Sequence, residues 1–308
     1  MTPTPNSTDL SFLQKCTAVK VSFGNLRSAK KLPKSAVTTE SDPNRVNASK
    51  KLWECAEAEA IKDEFTRLRK FVTSRTLPSP FGKGIYFVPN TLLGEIDAEL
   101  TISATQTLPT LAEALIAVYA DVMMREAEAL GPNYNPTDYE SPAEIRARLK
   151  VNYFYTIFGV PENLPNAMYK REQEKAQSKL SEAVGTMQAL LRAEMDKLLK
   201  HAVDALSGKY EKTGKPKIFR GSLTGNIRKF LKLFKDRDIT DDTELQAICD
   251  QVNELLKGVD PADLRKQEPL RESTAKAFAQ IREKLDAMMV AKGTRNIVFE
   301  DDEEAEAA

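Results

Sequence analysis

The sequence predicts an all-α fold: a compact N-terminal helical domain with a small β element, then an extended, coiled-coil-like C-terminal helical hairpin. Three observations predict it. Apolar residues recur at helical spacing along most of the chain, the segment from about Ala167 to Ser207 keeps such a stripe without a proline, and strand-like alternation is short and rare. The 308 residues, 41% apolar and 29% charged, suffice for two cores and a well-solvated surface. The division expected is residues 1–11 as a disordered N-terminus, 12–165 as the N-terminal domain, 166–299 as the long-helix domain and 300–308 as a disordered acidic tail.

The elements follow in chain order. Residues 1–10 are rich in Pro, Thr, Ser and Asn and gain little by folding. From Cys16 to Leu32, β-branched residues alternate with polar ones, which predicts one short strand before a polar loop reaching Asn47. Leu52, Ala56, Ile61, Phe65, Leu68 and Val72 then mark an amphipathic helix ending near Ser74. In LPSPFGKGIYFVPN, prolines and glycines punctuate Phe81, Tyr86 and Phe87, so a structured loop or short hairpin is expected there, and these three aromatics form a candidate interaction loop. Asn90 or Thr91 caps a helix through Leu92, Leu93, Ile96 and Leu100, which Pro109 restarts or kinks and Gly131 and Pro132 end. Ser141, Pro142 and Glu144 occupy Ncap, N1 and N3 of a capping box, predicting a helix that runs toward Tyr153, Phe154, Tyr155 and Phe158.

Beyond the breaker GVPENLPN, the residues Ala176, Leu180, Val184, Met187, Leu191, Met195, Leu198 and Ala202 form a heptad-like stripe. At about 1.5 Å per residue such a helix reaches roughly 60 Å, longer than a compact domain, so it must protrude or pair. Its predicted partner is a second stripe, Leu270, Thr274, Phe278, Ile281, Leu285 and Met288, folded back antiparallel. Two shorter helices lie between, one with Ile227, Leu231 and Phe234, the other with Leu245, Ile248, Val252 and Leu255, closed by Gly258. RNIVF, after Thr294, predicts a last short strand.

Lys plus Arg and Asp plus Glu number 45 each, so no global field draws the chain to nucleic acid or membrane. Cys16, Cys55 and Cys249 are widely spaced and read as reduced thiols. The most apolar stretch, Leu108 to Met124, is broken by Pro109, Glu113 and Asp121, and no apolar run follows Met1; a cytoplasmic protein without a membrane segment is expected. The lone histidine, His201, excludes every mechanism or metal site that needs two, and it lies beside the stripe residue Ala202 as a surface histidine. GKYEKTGKP has the wrong glycine spacing for a phosphate loop and Pro216 where a hydroxyl is needed. Phe87 stands where a dinucleotide fingerprint starting at Gly82 needs its third glycine. DRDITDDTELQA begins like a calcium loop but has Asp241 for the turn glycine and Ala247 for the bidentate Glu. No catalytic residue, cofactor or metal is therefore expected.

The basic residues Lys215, Lys217, Arg220, Arg228, Lys229, Lys232 and Lys235 alternate with Phe219, Phe230 and Phe234, a mixture that neutralises phosphates and stacks on bases. The competing reading makes Ile227, Phe230, Leu231 and Phe234 one buried helical face with the lysines on its solvated back.

The order KVSFGNLRSAKKL, IKDEFTRLRKFVTSRTLPSPFGKGIYFVP, then LLGEIDAEL and LIAVYADV resembles an uncharacterised family of mainly helical proteins. That family belongs to phages, plasmids and integrative elements and is encoded near MoxR-type ATPases and von Willebrand A-domain proteins. The resemblance covers about residues 12–165, and the loop here reads GKGIYFVP in place of a GG-aromatic form. It implies partnership with an ATPase-driven assembly through gene neighbourhood alone, and it transfers no functional residue. The function expected is thus a non-catalytic scaffold or adaptor that meets protein partners or its own copies through the long helix. The alternative is a nucleic-acid-binding accessory protein using residues 209–237. An enzyme of unfamiliar type ranks third.

Overall fold

The computed structural model describes residues 7–36, 42, 45–157, 165–207 and 221–291. The fold class differs from the all-α expectation: helices dominate, but a four-stranded antiparallel sheet makes the architecture mixed α/β. Strands β1 (Cys16–Phe23), β4 (Leu77–Pro78), β5 (Ile85–Pro89) and β6 (Val151–Thr156) pair in the order β4-β5-β1-β6. A separate two-stranded ribbon joins β2 (Ala29–Lys31) to β3 (Ser49–Lys51). The helices are α1 (Ala56–Thr73), α2 (Leu93–Ile102), α3 (Leu108–Ala117), α4 (Tyr119–Leu130), α5 (Pro142–Arg148), α6 (Asn166–Ser207), α7 (Gly221–Arg237), α8 (Thr243–Leu256), α9 (Pro261–Lys266) and α10 (Glu268–Ala291).

The correction lies mainly in β6. The capping box starts α5 as read, with Ser141 N–H donating to Glu144 Oε2 at 2.8 Å, but the helix stops at Arg148. VNYFYT then extends, because β-branched and aromatic side chains fit the pleated surface beside β1 better than another helical turn. The loop read at LPSPFGKGIYFVPN is a hairpin, β4 against β5, with Leu77 opposite Phe87. Gly84 sits at φ +72°, and a Cβ there would lie 2.7 Å from Val21 O, so the turn requires glycine. Between α2 and α3 the chain runs through a π turn, Ser103–Thr107, and Pro109 follows at the start of α3.

Register settles which side chains face which core. Cys16 and Ala18 of β1, Phe87 of β5 and Leu77 of β4 pack with Phe12 against the C-terminal helices. Val19 and Val21 of β1, Val88 of β5 and Val151 of β6 pack on the opposite face against residues of α1, α2 and α3, among them Ile61, Phe65, Ile96, Leu100 and Leu115. The sheet is thus the shared wall of two cores. The first core crosses residue 166 and joins N-terminal strands to α6, α7, α8 and α10.

Helix α6 is continuous over 42 residues. The chain itself covers its stripe from Leu180 onward: Leu180, Met187, Leu191, Met195 and Ala202 are buried, and Val184 and Leu198 pack at the margin. No side chain from 166 to 179 is buried. Helix α10 returns antiparallel along α6. Arg271 Nε donates to the Leu206 carbonyl at 2.6 Å near the end of α6, while Arg282 reaches Asp196 at 2.7 Å further back. The strand expected at RNIVF, the acidic tail, most of the N-terminal leader and GKYEKTGKP lie outside the described residues.

Polar side chains inside this assembly are paired. Arg192 of α6, 2% exposed, is bidentate to Asp242 at 2.7 Å and 2.7 Å, and its Nη2 also donates to Glu244 at 2.7 Å. Asp242 at the same time caps α8 by accepting from Leu245 N–H. A guanidinium therefore occupies the ground where the sequence imitates a calcium loop. Arg237, ending α7, forks onto Glu194 at 2.6 Å and 3.0 Å and donates to Thr76 O at 3.4 Å, next to β4. Lys15 joins Asp241 at 2.6 Å.

Removing one member of the buried pair strands the other. Arg192→Met is expected to cost about 3–5 kcal/mol in urea unfolding, and the Arg192→Met/Asp242→Asn double variant less than the sum of the singles. Gly24, at the end of β1, admits no side chain because a Cβ would fall 1.9 Å from Arg148 O. Gly24→Ala should lower stability by at least about 2 kcal/mol in the same assay.

Candidate interaction surface

Strand β6 is one edge of the sheet. Ala18 pairs with Thr156, Lys20 with Phe154 and Ser22 with Asn152, and Gly24 N–H donates to Lys150 O at 2.8 Å in the same register. In an antiparallel ladder this phase turns the backbone groups of the even residues of β6 toward β1 and those of Val151, Tyr153 and Tyr155 away from it. Among the described residues no strand pairs with that outer edge.

The side chains divide by the same alternation. Tyr153 and Tyr155 lie on the face toward α2, held by their hydroxyls: Tyr153 shares a 2.7 Å hydrogen bond with Thr101, and Tyr155 donates to Asp97 at 2.8 Å. Their rings meet edge to face at 6.0 Å. Desolvation, reinforced by the Asp97 carboxylate that accepts its hydrogen bond, pushes the Tyr155 phenol well above its ordinary range and keeps it a neutral donor. Phe154 points to the other face. There the C-terminal helices cover the Cys16–Ala18 end of the sheet, but Ser22, Asn152 and Phe154 are exposed, Phe154 by 60%. Ile157, just beyond the strand, is 90% exposed, and Met168 in the first turn of α6 is 43% exposed. Strand β6 carries no charge, proline or bulge, the devices that normally protect an edge.

The residues singled out from sequence are placed differently. Phe87 is 1% exposed in the first core, edge to face with Phe12 at 5.6 Å, and offers a partner nothing. Phe81 is half-buried against the same core, with Lys179 Nζ 6.0 Å from its ring, and Tyr86 is half-buried in the second core. Of the three loop aromatics, Phe87 is core and Phe81 and Tyr86 are partly exposed at its margin. In the basic segment Lys215, Lys217, Arg220 and Phe219 lie outside the described residues. Arg228 reaches the carbonyls of Leu256 and Val259, and Lys229, Lys232 and Lys235 are exposed on α7. Phe230 and Phe234 stack on each other at 6.0 Å and are buried, so neither ring is available to a base. His201 is exposed on α6.

Ionisable groups inside the N-terminal half are also matched. Glu140, fully buried, accepts from Trp53 Nε1 at 3.2 Å, Arg148 at 2.6 Å and the Arg27 amide at 3.1 Å. Glu126 accepts from Tyr139 at 2.6 Å and the Glu54 amide at 2.8 Å, and Lys50 meets Asp138 at 2.7 Å. These clusters pin the segment before α1, where Trp53 holds φ +64°, to α4 and α5. Burial pushes the Cys16 and Cys249 thiols up to about 12, which keeps them protonated and poor nucleophiles. Among the described residues no group of His, Cys, Asp and Glu could hold a metal ion. A groove of about 1280 Å³ runs between the β2–β3 ribbon and the start of α1, lined by Arg27, Lys30, Lys31, Lys51 and Lys62 together with Glu54 and Glu59. No single described helix is long and apolar enough to cross a membrane; the segment pair Asn90–Ala117 and Tyr119–Asn133 passes by length and composition but is bent by 61°.

Comparison with protein-family models, curated proteins and solved structures found no match to this chain.

Sequence pattern alone joins the capping box and the aromatic run into one helix, whereas the structure ends that helix at Arg148 and extends Val151–Thr156 as an edge strand. The signal present was the loss of helical periodicity after Leu149. If Phe154 belongs to a surface and Phe87 to a core, Phe154→Ala should change unfolding free energy by less than about 0.5 kcal/mol and Phe87→Ala should cost about 3–5 kcal/mol.

Proposed function

We propose that this chain is a non-catalytic adaptor that works through protein–protein contact at strand β6. One observation carries the reading: an uncharged edge strand turns Val151, Tyr153 and Tyr155 backbone groups outward beside the exposed side chains of Phe154 and Ile157. Extended segments add to such edges by main-chain hydrogen bonds, and neighbouring apolar side chains supply selectivity. The long helix serves this function as a support and not as the contact, because its stripe is spent inside the chain from Leu180 onward. The resemblance to proteins encoded beside MoxR-type ATPases makes the subunits of an ATPase-driven complex of a mobile element the first partners to test.

A nucleic-acid role retains the exposed Lys229, Lys232 and Lys235, but among the described residues the aromatics beside them, Phe230 and Phe234, are buried. Fluorescence polarisation with single- and double-stranded probes at physiological salt is expected to give no submicromolar, salt-sensitive binding. Tagged chain captured from its native host should bring down a defined partner, identified by mass spectrometry, that the Phe154→Arg/Ile157→Asp variant loses while its circular dichroism is unchanged. An identical partner set with both proteins would defeat the assignment to β6.

A further inference from the structure

We infer that the occupant of the β6 edge is a second copy of this chain, paired antiparallel about a two-fold axis at Phe154; this rests on the reading of β6 as a contact strand and puts a second copy, in place of a foreign subunit, on that edge. The backbone phase defines the possible registers. Only odd residues of β6 turn their N–H and C=O groups outward, so a second β6 must align odd residues with odd residues. Centring the pair on Phe154 sets Tyr153 opposite Tyr155 of the second copy and Val151 opposite its Ile157. Phe154 then meets its own counterpart in the close, non-hydrogen-bonded position, where aromatic side chains pair favourably across strands. This register engages Phe154 and Ile157, the two large apolar side chains most exposed next to this edge among the described residues.

Charge favours a copy over a foreign strand. VNYFYT has no ionised side chain, so it meets itself without opposed like charges, and 45 basic against 45 acidic residues leave no net repulsion between copies. An acidic or basic peptide would find no complementary group on the strand itself. The pairing is isologous and closes, joining two four-stranded sheets into one of the order β4-β5-β1-β6-β6-β1-β5-β4.

Sedimentation velocity of the full chain across a concentration series should show a species of twice the chain mass that Phe154→Lys abolishes. In a Cys55→Ser background, Phe154→Cys should oxidise to a covalent dimer while Asn152→Cys does not, because only the axial residue faces itself within the roughly 4.4–6.8 Å Cα range a disulfide spans. The Tyr153 and Tyr155 amides should be protected from hydrogen exchange only where the dimer forms. A monomer at every concentration overturns the inference; the adaptor reading then survives if partner capture still depends on Phe154. A dimer that persists in Phe154→Lys, or cross-links through Asn152→Cys instead, also overturns it. Protection of those amides in the monomer means the chain covers its own edge, and both readings fall.

Discussion

Cys16 and Ala18 face one side of strand β1 and Val19 and Val21 the other, so the strand is stable only when both sides are kept from water. Everything else is arranged around that requirement. Residues of α1, α2 and α3 pack on one face; α6 and the short 3-10 helix Ser7–Gln14 lie against the opposite one, and α7, α8 and α10 complete the same core. The sheet therefore acts as a wall shared by two cores, and the N-terminal strands contribute to the packing of the C-terminal helices. Fully burying each large side chain in such a wall is worth about 1.5–3 kcal/mol, so the hydrophobic effect alone explains why the two halves hold together.

Buried arginines decide how they hold together. Apolar packing between α6, α7 and α8 is non-directional and tolerates sliding by a turn, whereas the bidentate Arg192–Asp242 fork accepts one geometry. Asp242 also caps α8, so the same carboxylate fixes the start of one helix and its position on another. Arg237 extends this to the sheet through Glu194 and Thr76. Arg192 Nη1 and Arg237 Nε find no acceptor among the described residues. Desolvation thus offsets much of the Coulombic gain, and the pairs contribute register more than net stability.

Among the described residues the wall is left open at its β6 end. Helices cover the first face at Cys16, Ala18 and Phe87 but stop short of Phe154, and no described strand completes the edge. Among the described residues the buried carboxylates Glu140, Glu126 and Asp242 are engaged by Arg148, Tyr139 and Arg192, and the thiols of Cys16 and Cys249 are held protonated by burial. Among the described residues these side chains hold the shape of the molecule, while strand β6 keeps its outer backbone edge toward solvent.

The long helix α6, its antiparallel partner α10, the β1 strand, the capping box at Ser141 and the hairpin around Gly84 were all legible in the sequence. Each is set by local rules: periodicity of 3.6 or 2, a cap, or a glycine in a tight turn. The mixed fold class and the candidate surface were not legible, because both depend on pairing between residues far apart in the chain. VNYFYT is a strand only because β1, some 130 residues earlier, offers it a ladder. DRDITDDTELQA has the acids of a cation loop, and only the approach of Arg192 from 50 residues away makes its charge a structural pair. Composition and spacing determined which segments bury apolar faces; the tertiary structure decided which of those faces met, and among the described residues it left the outer edge of β6 unpaired.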